Sequence, residues 1–156
     1  MSDKTAPRLD WYKLATKPFQ GLLGAEAGLA NSSLGKQLLE LVKLRVSQIN
    51  GCAYCADMHA RDLLKHGEDL QRLNSLAMWH EVSLFDERER AAFRWAECLT
   101  RIATGHVPDE EFERLRPHFD DREIAELSVA VALINAWNRM GVGMRMPVVP
   151  KPLQPT

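Results

Sequence analysis

The most specific chemistry in the chain lies in the stretch "QINGCAYCADMHARDLLKHG", residues 48 to 67, where Cys52 and Cys55 are followed by His59. On a helix advancing about 100° per residue, Cys52, Cys55, His59, Asp62 and His66 fall within one stripe about 80° wide. Cysteines at i and i+3 of a helix can bring their sulfurs into disulfide reach, and Cys55 and His59 form an i to i+4 pair that can hydrogen-bond. A thiol beside an imidazole is the recipe for a reactive thiolate. Cys52 has a separate claim, because a helix starting after Asn50 and Gly51 would turn free backbone N–H groups and its positive dipole end toward that sulfur. Spacing alone leaves the attacking sulfur open between the two.

Zinc is the competing chemistry for a Cys-x-x-Cys followed by histidines. A continuous helix from Cys52 to His66 rises about 21 Å, too far for these side chains to converge on one ion. A zinc site would need the helix to begin after Cys55 and a distant ligand such as His80 or His106, so no metal site is expected. The third cysteine, Cys98, makes the total odd, which argues against a structural disulfide framework of the secreted kind. A disulfide in this chain is therefore expected to be a working one.

These residues need helices to hold them, and helix signals dominate. Leu34, Leu38, Leu41, Val42, Val46 and Ile49 form one apolar stripe over residues 34 to 49, and "NG" at 50 to 51 supplies a stop. The cysteine helix should run from about Cys52 to His66 and end at Gly67. Asp86 with Glu89, and Asp120 with Glu123, have the spacing of reciprocal N-terminal caps; the first opens a helix closing at Gly105, the second a long one through "LSVAVALINAWNRMG". Shorter helices are expected at roughly 18 to 30, 69 to 79 and 108 to 115, with Pro18 and Pro108 in first turns. The sum is an all-α, single-domain helical bundle of about six or seven helices over residues 1–147, followed by a Pro-rich tail over 148–156. The last long helix is apolar almost all round, which predicts burial on more than one face or a subunit interface.

Composition narrows the function classes. The 156 residues are 46% hydrophobic and 26% charged, with no apolar run of membrane-spanning length. Twenty Lys and Arg against 21 Asp and Glu leave a net charge of -1 and no field for collecting nucleic acid or anionic lipid. The first residues lack a basic start and apolar core of a secretory signal, so a cytoplasmic location is the default expectation.

The segment "RVSQINGCAYCADMHARDLLKHGE", together with "INAWNRMGVGMRMP" near the C-terminus, resembles the AhpD-like alkylhydroperoxidase branch of the carboxymuconolactone decarboxylase superfamily. In that branch Cys-x-x-Cys-x-x-x-His sits on a helix and a glutamate precedes the first cysteine by twelve residues, the position of Glu40 here. Pattern alone reads Glu40 as a solvated partner of Lys43, on a polar side shared with Lys36 and Ser47. The resemblance turns that side toward the thiols. It implies that Cys55 attacks a hydroperoxide and becomes a sulfenic acid, that Cys52 gives a proton and closes the disulfide, and that His59 and Glu40 form the proton relay. It further implies no cofactor, a dithiol reductant such as a lipoyl or thioredoxin-like protein, and a homo-oligomer, trimeric or hexameric. The branch carries a histidine immediately before the second cysteine, and this chain has Tyr54, which does not titrate near neutral pH. Two alternatives stand beside the peroxidase: a non-catalytic redox-sensing oligomer, and a decarboxylase-like enzyme indifferent to the thiols.

Other reactive side chains have structural explanations. His66 suits a helix C-terminal cap, Asp62 a surface or helix-pairing role, and Cys98 the place of a small buried hydrophobe near Phe93, Trp95 and Leu99. Trp79, His80 and Phe85 are expected in packing rather than in a pocket wall. Asn135, Asn138 and Arg139 on a mostly apolar helix need partners and are expected to join helices or protomers.

Overall fold

The computed structural model describes residues 6–154, and every regular element among them is helical. In chain order these are α1 (Trp11–Leu14), α2 (Thr16–Leu29), α3 (Lys36–Asn50), α4 (Ala53–Lys65), α5 (Leu70–Ser75), a 3₁₀ turn (Leu76–Glu81), α6 (Glu87–Thr100), α7 (Ile102–Gly105), α8 (Asp109–Glu113) and α9 (Asp121–Gly143). The all-α expectation stands, with nine α-helices among the described residues in place of six or seven. One is the short α1; another arises because Arg101, at φ -99° and ψ 25°, splits the expected helix ending at Gly105 into α6 and α7. Pro108 is the N-cap of α8 rather than part of its first turn.

The stop and start signals act where the residue types place them. Gly51 takes the left-handed conformation, φ 66° and ψ 30°, which costs glycine nothing and turns the chain from α3 into α4. Both reciprocal caps form, Asp86 with Glu89 at the head of α6 and Asp120 with Glu123 at the head of α9. Each settles two orphan backbone donors.

The core gathers around α3, which packs against α4, α6, α9 and the 3₁₀ turn. Its apolar stripe is sealed, with Leu41, Val42 and Val46 fully buried. Its polar side is largely buried as well: Lys43 and Ser47 are removed from solvent and the Glu40 side chain nearly so, while Lys36 at the start of the helix stays exposed. The reading of that side as a solvated face is therefore corrected, because α4 and α9 pack on α3 and Glu26 of α2 pairs with Lys43 where a lone amphipathic helix would be wet. Along α9, Ile124, Leu127, Val131 and Ile134 enter the core while Val129 and Val142 stay exposed. No helix among the described residues is long and apolar enough to cross a membrane.

Candidate active site

The α3–α4 turn holds the two cysteines, and α9 locks it. Asn50, the last residue of α3, donates through its side-chain amide to the Oδ1 atoms of Asn135 at 3.0 Å and Asn138 at 2.9 Å. Asn138 in turn donates to Ser47 Oγ at 3.0 Å. The asparagines of α9 thus find the partners their burial demands, between helices of one chain.

Cys52 is the N-cap of α4, and its sulfur accepts the Cys55 backbone N–H at 3.3 Å. Cys52 and Cys55 Sγ are at disulfide distance, 2.15 Å, and both residues are buried. Gly141 of α9 lies directly against them: a β-carbon there would stand 2.7 Å from Cys52 Sγ and 3.2 Å from Cys55 Sγ. Only the missing side chain lets α9 approach this closely.

Cys55 opens onto a pocket of about 530 Å³, with His59 and Glu40 in the same wall. Cys52 lies behind it. His59 is buried, its Nδ1 is 2.7 Å from Glu40 Oε2, and its Nε2 has no hydrogen-bond partner among the described residues. A neutral ring donating Nδ1–H to the carboxylate would leave the Nε2 lone pair as the proton acceptor of a general base. Burial pushes the Glu40 carboxyl up, but the hydrogen bond and charge of His59, joined by the charge of Lys43, outweigh it and hold the group below its ordinary value.

Behind Glu40 a buried charge chain continues. Lys43 Nζ is 3.5 Å from Glu40 Oε1 and 2.7 Å from Glu26 Oε2, and Trp137 Nε1 donates to Glu26 Oε1 at 3.1 Å. The roof is aromatic: Trp137 meets Trp11 and Phe19 with ring centroids 6.0 Å apart in each pair. Tyr12 OH donates to Met146 Sδ at 2.7 Å, tying α1 to the chain after α9. Burial raises the Tyr12 hydroxyl above its ordinary value, with the nearby Tyr54 adding to the effect.

Cys52, Cys55, His59 and Glu40, singled out in sequence, are therefore brought together. Tyr54 lies at the pocket wall, one-third exposed. Asp62 also reaches that wall, beyond the surface role expected for it, and pairs with Lys65 at 3.5 Å. His66 caps α4 as expected, its Nδ1 2.6 Å from the Asp62 carbonyl. Trp79 and Phe85 are buried in the core as expected, while His80 is exposed. Cys98 is only half-buried, in a separate hollow with Trp79 and Glu111, and burial raises its thiol above the ordinary value. Among the described residues no cluster of His, Cys, Asp or Glu could hold a metal ion.

Lys43, Glu26, Trp137 and Gly141 were not legible as site residues. For Gly141 a signal existed, since a glycine inside a helical run costs about 1 kcal/mol and so calls for a packing reason.

Residues 15–97 match the Carboxymuconolactone decarboxylase family. The uncharacterized protein YdfG of Bacillus subtilis is 37% identical over 137 residues, 88% of this chain and 93% of that protein. Among solved structures, ATU0492 of Agrobacterium tumefaciens, described as a protein of unknown function and putative antioxidant defence protein AhpD, has a TM-score of 0.90 at 37% identity. The match covers 94% of this chain and all of that one. The alkyl hydroperoxide reductase AhpD of Maricaulis maris is 51% identical over 39 residues, 25% of this chain and 22% of that protein. A fold shared along the whole length of ATU0492, and a family match across more than half the chain, agree with the buried dithiol and its histidine: this chain belongs to the carboxymuconolactone decarboxylase family.

Proposed function

We propose that the protein is a thiol-dependent peroxidase that reduces hydroperoxides by cycling between the Cys52–Cys55 dithiol and its disulfide. The observation carrying this reading is that Cys55 shares the pocket wall with His59, whose Nε2 is buried and unpartnered among the described residues and whose Nδ1 is held by Glu40. A sulfur that faces a pocket beside a held base is placed to meet a peroxide.

In the oxidative half, His59 takes the Cys55 proton and the thiolate attacks the distal peroxide oxygen. The O–O bond breaks, and the departing alkoxide takes the proton from His59 and leaves as an alcohol. Cys52 then attacks the Cys55 sulfenic sulfur, forming the disulfide and releasing water once its own proton is passed on. In the reductive half an external dithiol, of lipoyl or thioredoxin-like type, attacks Cys55 Sγ from the pocket. Cys52 leaves as a thiolate, stabilised by the Cys55 backbone N–H it already accepts and by the N-terminal end of α4. The reductant emerges as a disulfide and both protein thiols are restored.

A steady-state assay of peroxide consumption with lipoyl, thioredoxin-like and small-thiol reductants tests the reading. Cys55→Ser should abolish turnover, and peroxide treatment should remove two free thiols from the unmodified protein. Full activity in that variant overturns the mechanism; stoichiometric oxidation without turnover under every reductant favours a redox sensor instead. We further propose a homo-oligomer, to which the exposed Val129 and Val142 of α9 would contribute apolar surface. A single-protomer mass by light scattering would overturn that assembly.

A further inference from the structure

Hydrogen peroxide needs a channel little wider than water, yet Cys55 opens onto about 530 Å³ of space. That volume lies within the range of small-molecule sites, roughly 300–1,000 Å³. The wall above the sulfur is built from Trp11, Phe19, Trp137 and Met58, with Phe19 standing edge-on to Trp137. Rings set in this way receive another ring by edge or offset contact.

The ionised groups of that wall are equally selective. Glu26, Glu40 and Asp62 set three carboxylates against the single ammonium of Lys43. Lys43 is already engaged, 2.7 Å from Glu26 and 3.5 Å from Glu40, and the Nδ1 of His59 is held by Glu40. A carboxylate entering the pocket would shed its water and meet a wall of its own sign.

We propose that the substrate class is the neutral aryl-substituted hydroperoxides, seated by the aromatic roof over Cys55, with carboxylated hydroperoxides turned away by the charge of the wall. This inference rests on the peroxidase reading above, and it names the substrates of the same site.

The test compares four peroxides on the full chain: hydrogen peroxide, tert-butyl hydroperoxide, cumene hydroperoxide, and cumene hydroperoxide bearing a para-carboxylate. Single-turnover loss of the two thiols gives a second-order rate for each. Cumene hydroperoxide should exceed hydrogen peroxide by roughly 100-fold, the worth of burying one ring. The para-carboxylate should fall about tenfold or more below its neutral parent. Phe19→Leu should reduce the cumene to hydrogen peroxide ratio severalfold. Equal rates for cumene hydroperoxide and hydrogen peroxide overturn the aryl class while leaving the peroxidase standing, and equal rates for the carboxylated and neutral pair overturn the charge selection.

A second measurement needs no turnover. In Cys55→Ser, tryptophan fluorescence should report binding of 2-phenyl-2-propanol, the alcohol product, and much weaker binding of its para-carboxylate. If both bind alike, or neither binds, the substrate class falls; if the alcohol binds but no peroxide oxidises the thiols of the unmodified protein, the peroxidase reading falls and with it the assignment as substrate.

Discussion

Glu40 shows what a single side chain can hide. Its neighbours on α3 are Lys36, Lys43 and Ser47, and a polar side of that kind reads as solvent-facing until the helices covering it are known. In the fold that carboxylate fixes the His59 ring at 2.7 Å, so Glu40→Gln should keep the ring near its place while removing the charge that supports an imidazolium. We expect kcat to fall about 10- to 100-fold. Lys43 retains Glu26 at 2.7 Å, so the thermal midpoint should move by only a few degrees. Unchanged kcat would return Glu40 to a structural role. Gly141 gives a second prediction at this scale. A methyl group there meets both sulfurs, and the bridged pair cannot turn away, whereas two free thiols can rotate about χ1. Gly141→Ala should therefore shift a dithiothreitol titration toward the reduced form; an oxidised fraction equal to that of the parent would mean that α9 yields instead. The residues of the motif could be read from spacing, because a helix converts three and four residues into adjacency. Glu26 and Trp137 could not, because their contacts span 17 to 111 residues of chain and leave no local pattern.

Among the elements, those best read from sequence carry their own boundaries. Gly51 and Gly67 both adopt positive φ at the ends expected for α3 and α4, and aspartates 86 and 120 begin α6 and α9. The short α1 escaped notice because four residues show no periodicity, and the break at Arg101 falls inside an unbroken helical pattern. The caps are more than markers. Asp120 accepts the Glu123 backbone N–H at 2.8 Å while Glu123 Oε2 accepts the Asp120 N–H at 3.1 Å, at the head of the 23-residue helix that holds Gly141 against the sulfurs. Asp120→Ala should cost about 1 kcal/mol in chemical denaturation. The loss sits some twenty residues from Gly141, so the disulfide's response to dithiothreitol should not change. A shift in that response would show that fraying at the head of α9 reaches its far end.

At the scale of the molecule, the sulfur site is one of several charge clusters, buried or nearly so, that tie helices together. In another, Glu97 of α6 accepts from Arg45 of α3 at 2.8 Å, from Trp79 of the 3₁₀ turn at 2.9 Å and from Arg101 at 3.2 Å. Burial pushes the Glu97 carboxyl up, but the indole and the two guanidinium groups outweigh it and hold it below the ordinary value of 4.5. Glu40 and Glu68 are lowered in the same manner, each raised by burial and more than offset by its partners, His59 and Lys43 for the first, Gln37 and Arg72 for the second. A carboxyl more acidic in the folded than in the unfolded chain binds fewer protons when folded. Its stabilisation is complete above the unfolded value and drains away as pH falls through the folded one. Urea midpoints should therefore hold steady from pH 7 to about 5.5 and decline as pH falls below about 4.5. Glu97→Gln should lower stability at neutral pH by about 3 kcal/mol, because Arg45 is left buried with its charge unmatched. The same variant should show a shallower acid decline, having lost one of the groups whose protonation drives it. If the variant declines as steeply as the parent, Glu97 is not among those groups and the acid sensitivity belongs to Glu40 and Glu68.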